Sequence, residues 1–148
     1  MTPQARSLQY LRDHGFTAET TERWKRFPSK TSQPCATCGE RRQVQLRQDL
    51  FGFADIIAFN GTNVVLVQCT TRENMSHRWA KIRELEDARK WVGVEGVGNT
   101  ERLLLILGWY KKDNRWQVKE KLVVPHDFEV TRCADWDNWD EEQPELPF

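Results

Sequence analysis

The chain contains no apolar run approaching the roughly 20 residues that a membrane-spanning helix needs, which argues against a transmembrane protein. Its first residues, Met1-Thr-Pro-Gln-Ala-Arg, do not form a secretory signal. Cysteine is sparse, with four in 148 residues. Without a secretory context these predict free thiols in a reducing, cytoplasmic setting rather than a disulfide framework. Two of them form Cys35-Ala-Thr-Cys38-Gly39, but a second closely spaced ligand pair is missing: Cys69, Cys133, His77 and His126 have no matching spacing. A four-ligand zinc site within one chain is therefore not expected at Cys35 and Cys38, and zinc there would have to be shared across a dimer. A redox role lacks the thioredoxin-like βαβ context. Internal repeats are absent.

Net charge is lacking too, with 22 Lys and Arg against 22 Asp and Glu. The balance hides an asymmetry. Residues 135–148 hold six acids and no Lys or Arg, and removing those six leaves 16 acids against 22 basic residues in the rest of the chain. A basic body with an acidic tail fits a nucleic-acid binder, with a solvated surface as the alternative.

What is present supports a packed core. A hydrophobic content of 39% and seven Trp suit one globular domain, and a chain of this length buries about two thirds of its unfolded surface. The expected division is a domain over 1–134 and an acidic, Trp-containing tail over 135–148. Thr2 as N-cap, Pro3 at the first helical position and Gly15 as the stop predict a helix over 3–14, with Leu8 and Leu11 on its apolar face and Tyr10 at one edge. Residues 16–24 are expected as one strand with Glu19 and Glu22 facing solvent, Glu22 also being able to approach a site from a neighbouring strand. Pro28, Ser29, Ser32, Pro34 and Gly39 predict a loop over 25–48. Lys25, Arg26, Lys30, Arg41, Arg42 and Arg47 make that loop basic and suited to a DNA backbone, an ordinary exposed connection being the alternative.

The most informative stretch runs from Asp49 to Lys81. Phe51-Gly-Phe-Ala-Asp55-Ile-Ile-Ala-Phe59 places a carboxylate in an apolar run, at a cost of several kcal/mol unless it is paired, hydrogen-bonded or bound to a cation. A tight turn at Asn60-Gly61 or Gly61-Thr62 predicts an antiparallel hairpin whose opposed residue numbers sum to an odd value. In that register Asp55, Gln68 and Thr70 share one face, and with Gly61-Thr62 as the turn Asp55 lies opposite Gln68. A structural carboxylate and core amide are the alternative reading. Asn74 can cap a helix through about Trp91, with Met75, Trp79, Ile82, Leu85 and Val92 as its buried stripe and Arg78, Lys81, Arg89 and Lys90 on its flanks. Gly93, Gly96, Gly98 and Asn99 then break the chain before a buried strand over 102–110, a turn at Asp113-Asn114 and a last strand over 115–124.

These residues resemble the core of the PD-(D/E)XK nuclease superfamily, especially its Holliday-junction-resolvase-like and phage members. The family pattern is an acidic residue on one strand, a hairpin, then Glu or Gln, any residue and Lys on the next, followed by a helix. The resemblance covers roughly residues 1–110 and is specific only over Asp49 to Lys81. It implies an α/β, restriction-endonuclease-like domain with a mixed central sheet flanked by helices, in the order α-β-β-β-α-β-β. It further implies a DNA endonuclease dependent on Mg²⁺ or Mn²⁺, acting in a bacterial or phage-infected host cytoplasm. Asp55 matches the metal-binding aspartate, Gln68 the Glu/Gln ligand and the Cys69 carbonyl the further ligand, with Asp49 as an auxiliary ligand or the holder of a basic side chain. Thr70 stands where the family has lysine, and the first helix offers Gln4 and Gln9 where relatives often carry Glu. Arg78 and Lys81 are the candidates to replace the lysine. Two readings lead, hydrolysis of DNA, with branched DNA as one substrate, or a nuclease-fold DNA-binding or adaptor module without catalysis; a zinc-stabilised adaptor built around Cys35 and Cys38 ranks below them. DNA versus RNA stays open, as does monomer versus homodimer.

The last residues, Glu145-Leu146-Pro147-Phe148, resemble the acidic tip of bacterial single-stranded-DNA-binding proteins. That resemblance implies that Pro147 and Phe148 dock on DNA-repair or replication partners through an aromatic ring and a terminal carboxylate. A solubilising tail, or one folded over the chain's own basic face, are the other expectations.

Overall fold

A computed structural model describes residues 1–93, 101–129 and 146–148. Helix α1 (Pro3–Asp13) starts as its sequence requires: Thr2 Oγ1 accepts a hydrogen bond from the Ala5 N–H at 3.2 Å, and Pro3 fills a position whose N–H would have no helical partner. Gly15, at φ 82°, turns the chain out of the helix. Leu11 is fully buried and Leu8 packs beside it. Ser7 is also buried, donating to the Pro3 carbonyl at 2.8 Å and accepting from the Trp109 indole N–H at 2.9 Å.

The chain then builds a five-stranded sheet and a separate two-stranded ribbon. The sheet has the order β1 (Thr17–Thr20), β4 (Ile56–Phe59), β5 (Asn63–Thr71), β6 (Glu101–Lys112), β7 (Arg115–Val123). Strands β5 and β6 are parallel and the other neighbours antiparallel, so the fold is mixed α/β. Strand β2 (Arg23–Pro28) pairs only with β3 (Gln43–Gln48), forming the ribbon. Helices α2 (Met75–Arg83) and α3 (Glu86–Gly93) lie between β5 and β6 in the chain. The central strands are buried on both faces, as near-continuous apolar runs require. Val65, Val67, Leu105 and Leu107 pack toward α1 with Leu11 and Phe16, while Leu66, Leu104 and Ile106 pack toward Met75, Trp79 and Ile82 of α2. Gly108 permits the closest approach between layers: a Cβ there would collide with the Met75 side chain and lie 3.2 Å from Arg72 Cα.

The hairpin register is the expected one. Ile56 pairs with Val67 and Phe59 with Val64, leaving Gly61-Thr62 as the two-residue loop. Asn60 Oδ1 closes it by accepting the N–H groups of Thr62 at 2.9 Å and Asn63 at 2.7 Å. At the other hairpin, Asp113 and Asn114 take φ 49° and 63°, matching the mirror-image turn that joins β6 to β7.

Several expectations are corrected. The single strand over 16–24 divides at Thr21-Glu22, where Thr21 bonds the Asp55 carbonyl through its N–H and the Ala54 carbonyl through its hydroxyl, at 2.9 and 2.7 Å. The chain leaves the main sheet there. The loop over 25–48 is instead the β2–β3 ribbon with a 14-residue tip, from Ser29 to Arg42, and Ser29 N–H bonds the Arg42 carbonyl across its neck. The helix over 74–91 breaks at Glu84-Leu85, whose N–H groups turn back to Lys81 and Ile82 in a tighter turn while Leu85 packs into the core. A short 3₁₀ turn, Arg72–Asn74, precedes α2. The order among the described residues is therefore α-β-β-β-β-β-α-α-β-β. Residues 51–55, expected in a strand, form a turn with Phe51 at φ 55° and Gly52 at φ 81°, and β4 starts only at Ile56. No helix among the described residues is long and apolar enough to cross a membrane. The expected breaks at Gly96, Gly98 and Asn99, Cys133, and the tail with Trp136 and Trp139 lie outside the described residues.

Candidate active site

Asp55 sits at the entrance to β4, one rung beyond the Ile56–Val67 pair, and its N–H bonds the Val67 carbonyl at 2.9 Å. The register places it beside Gln68. Its Oδ2 accepts from Gln68 Nε2 at 2.5 Å and from the Cys69 N–H at 2.7 Å. Two further acids come from the root of the ribbon. Arg23 pairs with Gln48 at the root of the ribbon, and Glu22 and Asp49 are the residues that flank this last rung in the chain. Carboxylate oxygens of Glu22, Asp49 and Asp55 lie within 4.8 Å of one another. They open into a cavity of about 410 Å³, also lined by Thr2 and Gln4 at the start of α1, Arg47 of β3, Gln68 and Cys69 of β5, and Arg78 of α2.

The electrostatics arise from this crowding. Burial pushes the Asp55 carboxyl up to about 6; the Cys69 N–H opposes that rise, Asp49 adds to it, and the Arg78 guanidinium opposes it. Burial likewise pushes the Cys69 thiol up to about 12, out of the range of a nucleophile at neutral pH. Arg47 pairs with Glu22 and donates to Gln4 Oε1 at 3.2 Å. Gln68 Oε1 is buried with no hydrogen-bond partner. A half-turn of that amide would bring two oxygens face to face, which needs a proton or a cation between them. Three carboxylates, an orphaned amide oxygen and the Cys69 carbonyl are hard oxygen donors, a set that fits Mg²⁺ or Mn²⁺.

The structure thus gathers Asp49, Asp55, Gln68, Cys69 and Arg78 around one cavity. It leaves two candidates outside the cavity lining: Thr70 is buried in β5 opposite Gly108, and Lys81 is exposed on α2. Glu22, expected to face solvent or else to approach the site from a neighbouring strand, joins the cluster. Lys25 and Arg26 are exposed along β2, and Lys30, Arg41 and Arg42 at the tip. Arg47, grouped with them in the sequence, lies at the cavity.

Cys35 and Cys38 are exposed in a turn at the tip, where the Gly39 N–H bonds the Cys35 carbonyl at 2.9 Å. Hydrogen bonds from Cys38 and Thr37 lower the Cys35 thiol to about 7. Among the described residues no third metal-ligating side chain clusters with this pair. Phe148 packs on its own chain, its ring 4.8 Å from Phe16 and 6.3 Å from His14, with Leu146 beside the same core and Pro147 exposed. That seat is at the end of α1 remote from the acids. No protein-family model, no curated protein and no solved structure matches this chain, and the acidic cluster stands on its own geometry.

Proposed function

We propose that this chain is a metal-dependent DNA endonuclease with a restriction-endonuclease-like core, hydrolysing phosphodiester bonds at Glu22, Asp49 and Asp55. The observation that carries the reading is the convergence of three carboxylates within 4.8 Å, one of them buried with a raised pKa, at the open end of a mixed sheet. Arg47 pairs with Glu22, while Asp49 and Asp55 are like charges close together, a repulsion that a divalent cation relieves. Glu22, Asp49, Asp55, the Gln68 amide oxygen and the Cys69 carbonyl would hold it. A bound Mg²⁺ or Mn²⁺ supplies charge against a phosphoryl oxygen and lowers the pKa of a bound water.

The chain's own residues do the positioning. The Gln68 amide and the Cys69 N–H hold one oxygen of Asp55, and Asp55 lines the cavity together with Asp49. Arg78, whose charge already acts on Asp55, takes the role of the family lysine and stabilises negative charge developing on phosphate. Thr70 carries no charge with which to do so, and Lys81 does not line the cavity.

The test is cleavage of labelled four-way junction, tailed, duplex and single-stranded DNA with Mg²⁺, Mn²⁺ or EDTA. Metal-dependent cutting that Asp55→Ala abolishes and Arg78→Ala reduces at least a hundredfold supports the reading. Absence of cutting on every substrate, or cutting that survives Asp55→Ala, overturns it.

A further inference from the structure

We propose that the β2–β3 ribbon is a nucleic-acid arm on which Trp24 stacks an unpaired base, so that the preferred DNA carries a single-stranded nucleotide beside the scissile phosphate. Cleavage after binding rests on the nuclease reading, but the binding step stands apart from it.

Every residue of both ribbon strands is exposed, so the ribbon builds no core of its own. An exposed two-stranded ribbon is marginal in water, and large apolar side chains on it gain nothing from folding. Yet Trp24 stands 67% exposed. Its strand partner is Arg47, and Arg26 lies two residues further along the same face. Arg47 in turn pairs with Glu22, and both line the cavity together with Asp49 and Asp55. Two residues of strand span about 7 Å, so a base on the Trp24 ring keeps its neighbouring phosphate within reach of the acids. Charge selects the same occupant: residues 23–48 hold seven Lys and Arg against Glu40 alone. A protein partner of acidic character would complement the charge but brings no phosphodiester to the three acids at the root of the ribbon. The interior of a duplex would satisfy the cations while offering the indole only base-pair edges. An unpaired nucleotide supplies both a phosphate and a free π-face.

The experiment is fluorescence anisotropy with the full chain in EDTA, where no cleavage interferes. The probes are a labelled oligo-dT strand, a blunt duplex and the same duplex with a single-stranded tail. The tailed duplex is expected to bind more tightly than the blunt one. Trp24→Ala should weaken the tailed duplex and the single strand tenfold or more and the blunt duplex less than twofold, while Trp24→Phe restores most of the loss. Phe27→Ala removes a ring from the opposite face of the ribbon and should change neither by more than twofold. Because Trp24 is exposed, the thermal midpoint of Trp24→Ala should equal that of the wild type. Equal binding of blunt and tailed duplex by the wild type overturns the proposal, as does a Trp24→Ala variant that is unaffected or equally weakened on all three probes. Cleavage by a protein that fails this test leaves the nuclease reading standing. Trp24-dependent binding without cleavage on any substrate removes that reading and leaves this one.

Discussion

Replacing Asp55 by Asn tests the physics of the cluster through stability, independently of any substrate. The carboxyl is lifted from an ordinary 3.8 to about 6, chiefly by burial. The folded state therefore holds this proton more tightly than the unfolded chain. The resulting stabilisation is fully present below pH 3.8 and lost as pH rises through about 6. A lift of two units corresponds to roughly 3 kcal/mol between those limits. Asn keeps an oxygen that accepts from both the Gln68 Nε2 and the Cys69 N–H, so it sheds the charge without surrendering those hydrogen bonds. In urea unfolding with EDTA, Asp55→Asn should gain about 1–3 kcal/mol over the wild type at pH 8 and lose most of that gain at pH 4. Added Mg²⁺ at a hundred times its dissociation constant should stabilise the wild type by about 2.7 kcal/mol at pH 8 and the variant far less. A stability difference identical at pH 8 and pH 4 would refute the idea that a strained carboxylate waits there for a cation.

The remaining predictions concern other parts of the molecule. Gly108→Ala places a methyl group against Met75 and the Arg72 backbone, and should cost about 1–3 kcal/mol in denaturant unfolding; a loss below about 0.5 kcal/mol would mean that the α2 layer shifts freely. Asp127→Ala removes the carboxylate 3.2 Å from the buried Lys121 ammonium and the acceptor of the Val124 N–H, and should cost about 3–5 kcal/mol by the same measurement. Iodoacetamide followed by peptide mass analysis should alkylate Cys35 with a midpoint near pH 7 and leave Cys69 unmodified in the folded protein; equal rates at both would contradict their opposite environments.

The parts of this fold legible in the sequence are those governed by local chemistry. Thr2-Pro3 and Gly15 bound α1, Asn60-Gly61-Thr62 sets a two-residue loop, and period-two alternation then obliges Asp55 to meet Gln68. The ribbon is obscured because Pro28, Ser29, Ser32, Pro34 and Gly39 dominate its tip, and because strands exposed on both faces carry no core signal. Its one visible trace is the alternation Gln43-Val-Gln-Leu-Arg-Gln48. Glu22 cannot be assigned to the cluster without the ribbon, since its place beside Asp49 comes from pairing across 27 residues of chain. The break at Glu84-Leu85 has no Gly or Pro to announce it and comes from how Leu85 and Ala88 fit the core. Thr70, where the resemblance leads one to expect a lysine, is buried in β5 and does not line the cavity where Arg78 lies.

The root of the ribbon carries two of the three acids, and the main sheet carries the third. On the proposed reading, the arm and the catalytic geometry would thus be hinged on the same rung, Arg23 with Gln48. Lengthening or trimming the tip between Ser29 and Arg42 changes how far the arm reaches and leaves the acids where they are. Twisting the root moves Glu22 and Asp49 together against a stationary Asp55. Reach and chemistry can therefore diverge independently in such a scaffold, whereas substitutions at the root alter both at once.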